Sequence, residues 1–391
     1  MTEHLPIAII GGGLGGLTTA VVLHRRGIHA TILELEPDRA GRTQGGMLDI
    51  HDDSGQLALK AAGLHEKFLT LVHPGGESMR IRDHTGRLLH SDDDEGQLER
   101  PEIDRGHLRD LLLDALPDDV VRWGNKVTAV IPDDGVPGRH HIRLGDGTEY
   151  TTDLLIGADG AWSRVRPLVS DAQPVYSGIS FVEADVLNAD ARHPALAATM
   201  GPGMLFALGG ATGILGHKET DGSIHFYLGH RADETWVDNI DFGDRAASTR
   251  AVLRLMEGWA EDLRGFIVHA DTPLIPRRIY ALPVGHRWDR VPGVTLLGDA
   301  AHLMSPFAGE GANLALYDAF QLATSIADCP EDSEAALAAY ENDMFARAED
   351  AAGLSARMLE LIFASDAPRG LVDAFASFGP AQPDQEPQHV E

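Results

Sequence analysis

Leu5-Pro6-Ile7-Ala8-Ile9-Ile10-Gly11-Gly12-Gly13-Leu14-Gly15-Gly16 opens the chain with an apolar run that ends in glycines. The run reads as a short buried strand. Leu17 to Arg26 then reads as a helix stopped by Gly27, and Ala30 to Leu33 as a second strand closed by Glu34. The result is a β-α-β unit of the length that dinucleotide-binding folds require. Its turn carries the spacing Gly11-x-Gly13-x-x-Gly16. The first glycine lets the strand turn sharply, the second lets backbone approach a pyrophosphate, and the third lets helix pack on sheet. The helix N-terminus adds free N–H groups and a positive dipole. Glu34 stands where a carboxylate accepts hydrogen bonds from ribose hydroxyls.

Two further motifs follow strands. Leu154 to Ile156 runs into Gly157 and then Asp159-Gly160-Ala161-Trp162-Ser163-Arg164-Val165-Arg166. Val294 to Leu297 runs into Gly298-Asp299-Ala300-Ala301-His302, followed by Pro306-Phe307-Ala308-Gly309-Glu310-Gly311-Ala312-Asn313. A strand ending in Gly-Asp puts a carboxylate at the sheet edge, within reach of a polyol chain. Gly309 and Gly311 let N–H groups approach a flat ring just before a helix expected from Gly311.

Val127 to Ile131, His140 to Leu144 and Thr148 to Thr151 read as short strands separated by Asp-Gly turns. From Pro174 to about Gly229 the stretches Ile179 to Val186, Met204 to Leu208 and Ile224 to Leu228 suggest an antiparallel sheet. Ala246 to Arg264 reads as one helix, and Glu334 to about Phe363 as a long C-terminal helix. The expected fold class is α/β.

Composition narrows the function. The chain has 391 residues, enough for two cores, and a formal net charge of -28 that disfavours nucleic acid. One cysteine, Cys329, excludes an intrachain disulfide and dithiol redox chemistry. No secretory leader or apolar span is legible, so a cytoplasmic protein without stable membrane association is expected. The histidines are scattered, and no metal site is expected.

The order of the three motifs resembles the class A flavoprotein monooxygenases of the para-hydroxybenzoate hydroxylase type, over nearly the whole chain. The stretches Gly45 to His51, Pro101 to Arg105 with Leu108-Arg109, and Gly298 to Gly309 are similar to one branch, the tetracycline-inactivating flavin monooxygenases or tetracycline destructases. The resemblance implies non-covalent FAD, NADPH as co-substrate and O2. It also implies a Rossmann-like FAD-binding domain in three parts (1–72, 101–173, 284–330) and an antiparallel substrate domain in two (73–100, 174–283). A C-terminal helical segment (331–378) and a disordered tail (379–391) complete the expected organisation.

Carried over by position, Gly11, Gly13, Gly16, Glu34, Arg42, Asp49, Arg105, Arg109, Asp159, Asp299, Gly311 and Asn313 would serve the cofactor, Asp159 also NADPH. Pro306 and Gly309 would lie at the isoalloxazine edge, Phe307 toward the substrate, and catalysis would be flavin-mediated through a C4a-hydroperoxide. On the substrate side His225 keeps a histidine of the destructases. Glu183 stands for their glutamine, Met204 for an arginine, and Glu310 for the glutamine between the two glycines. Loss of an Arg removes a multi-donor cation, and Gln-to-Glu makes an acceptor-only anion. The implied substrate is a phenolic or enolic polycycle, tetracycline-like antibiotic or aromatic polyketide. An FAD-dependent oxidase or dehydrogenase, a Baeyer–Villiger or epoxidising enzyme, and a non-catalytic FAD-binding sensor share the same pattern.

Overall fold

A computed structural model describes residues 2–41 and 46–378. Arg42 and Gly45, and the tail expected to be disordered, lie outside the described residues.

The first sheet grows from the opening β-α-β unit. Glu3–Ile10 pairs in parallel with Thr31–Leu33 on one side and with Glu149–Gly157 on the other. Val121–Arg122 extends one edge, and His140–Leu144 with Val127–Pro132 extends the other. Thr148 to Thr151 and Leu154 to Ile156, expected as separate strands, are the two halves of the Glu149–Gly157 strand. The polar Thr152-Asp153 between them marks a change of partner. Residues before it pair antiparallel with His140–Leu144, and residues after it pair parallel with Val294–Leu296.

The helix after the glycine turn starts at Leu14, before the expected Leu17. Gly15 allows this close packing, since a Cβ there would lie 2.5 Å from Leu297 and 3.2 Å from the Ala315 carbonyl. The partner is the Glu310–Asp328 helix, which begins one residue earlier than expected. The Ser333–Ile362 helix packs on it, as the sequence indicates. Arg369–Phe378 is a second helix within the expected C-terminal helical segment.

The second sheet has seven strands in the order Ile275–Ala281, Val175–Val186, Ile224–Arg231, Thr212–Lys218, Met204–Gly209, Met79–Asp83, Leu88–Asp92. It is not wholly antiparallel, because Met204–Gly209 runs parallel to Met79–Asp83. Thr212–Lys218, with two glycines, was hidden among expected turns. Period-two alternation sorts the faces. Val182, Ala184, Val186, Leu205, Ala207, Phe226 and Leu228 bury against helices on one side. Two of those are Arg245–Leu255 and Glu261–Val268, not the single helix expected from Ala246 to Arg264. Gly258, at φ +82, breaks the run.

The opposite face carries Phe181, Phe206 and Leu208. They form a core with Phe307, Leu359, Ile362 and Phe363. A two-stranded ladder, Met47–Asp49 with Glu102–Asp104, completes the strands. Among the described residues no helix is long and apolar enough to cross a membrane, and no cluster of metal-ligating side chains occurs.

Candidate active site

Four parallel strands of the first sheet end at one edge, and each hands over to a motif loop. Ile10 leads to Gly11, Leu33 to Glu34, Gly157 to Asp159 and Leu296 to Asp299. Ligands of open parallel sheets bind at such an edge.

The glycines here divide into two kinds. A Cβ on Gly11, at φ +105, would lie 2.4 Å from the Ala158 carbonyl, and one on Gly16 would lie 2.1 Å from the Gly11 carbonyl. The fold itself forbids side chains at both. For Gly13 and Gly311, no described atom beyond their chain neighbours and their own helix backbone lies within 4 Å of that position. Space is therefore kept at the two places where backbone would approach a pyrophosphate and a flat ring. Glu34 is buried, and its carboxylate accepts hydrogen bonds from the Gly12 and Glu36 N–H groups. Asp299 and Arg105 have no side-chain hydrogen bond or ion pair within the described protein. Asp299 is exposed to solvent, yet desolvation by the surrounding protein raises its pKa, opposed by His302, Arg105 and Arg166. A free acceptor and a free cation in one cleft suit a polyol phosphate, and these residues fit FAD.

Other expected residues act on the backbone. Asp159 accepts from the Ser163 hydroxyl at 2.5 Å and the Arg164 N–H at 2.6 Å, so its carboxylate shapes its own loop. Arg166, quoted in the motif but given no role, is buried. It donates to the carbonyls of Ala300 (2.8 Å), Ala161 (2.9 Å) and Asp299 (3.1 Å), tying the two acidic loops together. Asn313 accepts from the His51 N–H at 2.9 Å and donates to the Asp49 carbonyl at 2.8 Å and the Gly309 carbonyl at 3.3 Å. It clamps Asp49 to the turn that begins at Pro306 and ends at Gly309, left-handed at φ +72. Arg109 is buried against Glu36 at 2.7 Å, beside the Glu34 strand end. The turn carrying Asp299 has an anchor the sequence did not reveal. The buried Asp318 accepts from the Gly298 N–H (3.1 Å), His302 (2.6 Å) and Arg347 (3.2 Å).

Strand register builds the substrate side. Met79, Met204, His217, His225 and Asp185 form one cross-strand row; Ile81, Phe206, Leu215, Tyr227 and Glu183 form the next. The expected Glu183, Met204 and His225 thus share a face, and Phe307 packs edge-on against Phe181 of that face at 5.6 Å. His225 Nδ1 lies 2.6 Å from Asp185, which also accepts from the Thr272 hydroxyl at 3.1 Å. His225 Nε2 is buried without a hydrogen-bond partner among the described residues. Burial would lower the imidazole pKa, but Asp185 and then Glu219 outweigh it and raise it. Tyr227, 4.7 Å from the His225 ring, is pushed up to about 12 by burial and by Glu183. Glu183 is held by Arg277 at 2.6 and 2.9 Å. Gly46 joins the two sides: its N–H donates to Glu219 at 3.0 Å, and its carbonyl accepts from the Arg105 N–H. Asp185 was legible in principle, two residues from Glu183 on one strand face. Thr272 and Arg277 carry no local signal.

The sequence matches the FAD binding domain family over residues 4–355. The chain belongs to this family and is a flavin-dependent monooxygenase. It is 30% identical over 428 residues to the monooxygenase asqM of Emericella nidulans, covering 92% of this chain and 96% of that protein. Its fold matches Klebsiella pneumoniae HpxO complexed with FAD and uric acid, with TM-score 0.78, 24% identity, and 95% and 92% of the two chains covered. It also matches the tetracycline destructase Tet(51), with TM-score 0.70, 20% identity, and 97% and 95% covered.

Proposed function

We propose that this monooxygenase inserts one oxygen atom from O2 into a phenolic or enolic polycyclic molecule, a tetracycline-like antibiotic or an aromatic polyketide, using NADPH. The observation that carries this reading is the Asp185–His225 pair on the sheet face opposite the helices, whose buried Nε2 has no hydrogen-bond partner among the described residues. Bound FAD supplies electron transfer and oxygen activation. Gly13 and Gly311 leave it room, Glu34 takes ribose hydroxyls, and Asp299 with Arg105 holds the polyol phosphate. His225 Nε2 takes the proton of a substrate hydroxyl while Asp185 stabilises the imidazolium, so the ring or enol carbon gains electron density. Phe181, Tyr227 and Phe307 exclude water beside it. Arg277 neutralises Glu183 on that wall.

The test begins with the purified protein, expected to be yellow and to release FAD on denaturation. A panel of phenolic and enolic polycycles is then scored by NADPH oxidation and by product mass. One added oxygen on a polycycle is the expected result. Turnover of small monocyclic phenols with no polycyclic product overturns the substrate class, and equal efficiency with NADH overturns the nucleotide preference.

A further inference from the structure

A line of acid and imidazole side chains crosses from the substrate face to the first turn of the Glu310–Asp328 helix. Asp49 and Glu102 are direct partners across the two-stranded ladder. Such partners point to one face of the ladder. On one side of this pair, His51 Nε2 lies 2.8 Å from Asp49, and His51 Nδ1 lies 3.8 Å from Glu310. On the other side, His217 Nδ1 lies 3.8 Å from Glu102, and His217 is the direct cross-strand partner of His225. Two atoms of the line have no hydrogen-bond partner among the described residues: Glu102 Oε2 and His225 Nε2, in residues 5% and 7% exposed. Buried polar atoms are otherwise almost always bonded, so two orphans flanking His217 call for a role.

Asp49, Glu77 and His217 are the titratable groups around Glu102. Burial, then Asp49 and Glu77, holds Glu102 well above the usual carboxylate range. Burial takes His217 down to about 4. Burial thus biases Glu102 toward its protonated form and His217 toward its neutral form, a donor beside an acceptor.

We propose that Glu102 and His217 form a proton relay between His225 and the Asp49–His51–Glu310 group. The relay rests on the reading of His225 as the substrate base. His225 takes the hydroxyl proton and the electron pair stays on the substrate oxygen. The proton passes to His217, which returns to its neutral form by giving a proton to Glu102 as Glu102 gives its own to Asp49. One proton leaves the substrate and one arrives at Asp49–His51. The two 3.8 Å gaps are of the length a water molecule or a small side-chain rotation closes.

The test uses the FAD-loaded enzyme. Infrared spectra at neutral pH are expected to show a protonated carboxyl component, shifted in D2O, that Glu102→Gln removes and Glu77→Gln leaves. With histidine Cε1 labelled for NMR, His217 and His225 are expected to share an inflection at the pH where that component disappears. Glu102→Gln should abolish the inflection in both while FAD occupancy stays at the parent level. With tetracycline as probe, kcat should fall about tenfold or more in Glu102→Gln at unchanged KM, and Glu102→Asp should restore part of it. A carboxyl component that persists in Glu102→Gln, or histidines blind to its loss, overturns the relay. Should Glu102→Gln fail to fold, Glu102→Asp must keep the component at a shifted frequency and keep the shared inflection. Absence of tetracycline turnover in the parent counts against the proposed substrate class, and the infrared and NMR readouts still decide the relay.

Discussion

Asp185→Asn tests the chemistry of the substrate face with little change of shape. The substitution keeps an oxygen that can accept from Thr272 Oγ1 but removes the negative charge 2.6 Å from His225 Nδ1. A hydrogen bond between charged partners in a largely buried place contributes about 1.5–3 kcal/mol. Losing that bond should bring the His225 pKa down from its raised position. The sign follows from the two shifts. His225 is raised, so its contribution to stability is full below the ordinary imidazole value and fades as pH rises through the raised value. Asp185 is lowered, mainly by its bond to His225 against the cost of burial. Its contribution is present above the ordinary carboxylate value and fades as pH falls through the lowered one. The pair therefore stabilises the fold between these limits, and Asp185→Asn should flatten that dependence. Histidine NMR titration reads the pKa directly, and the pH profile of turnover should lose activity because the weaker base holds the substrate proton less well. A His225 titration unchanged in Asp185→Asn would refute the reasoning.

Gly13→Ala should weaken FAD binding, read by flavin fluorescence, and leave the melting temperature of the apoprotein near the parent value, because its Cβ meets only the cofactor's space. Gly16→Ala should instead lower that melting temperature, since its Cβ falls on the Gly11 carbonyl. Asp318→Asn should destabilise the protein by about 3–5 kcal/mol in denaturant titration, as breaking a buried ion pair does, and should release FAD by freeing the Gly298-Asp299 turn. Met204→Arg should improve oxygenation of tetracycline, measured by mass spectrometry, by supplying charge-assisted hydrogen bonds worth about 1.5–3 kcal/mol each. No gain over the parent would show that position 204 does not set tetracycline use.

Much that depends on local spacing was legible in the sequence. The opening β-α-β unit, the three motif loops in their order, the acidic residues at strand ends and the long C-terminal helix follow from glycine placement and apolar runs, which act within a few residues. The family followed from that order. Apart from the local break at Gly258, errors fell where a contact distant in sequence overrode the local pattern. The Thr152-Asp153 break was read as the end of a strand, but the strand continues because two partners share its edge. Thr212–Lys218 looked like turns because its glycines are explained only by neighbouring strands. Met204, His225 and Glu183 were singled out one at a time. Register put them on one face and added Asp185, Tyr227 and His217, and the tertiary fold brought in Thr272 and Arg277. The sequence by itself determined the FAD-binding family and which loops follow the parallel strands. Tertiary packing decided which carboxylates stay free in the cleft, as Asp299 does, and which are consumed by a partner, as Glu183 and Asp318 are. A charge's chemistry depends on what lies within a few ångströms, and those neighbours come from distant segments, as Arg277 reaches Glu183 from 94 residues away.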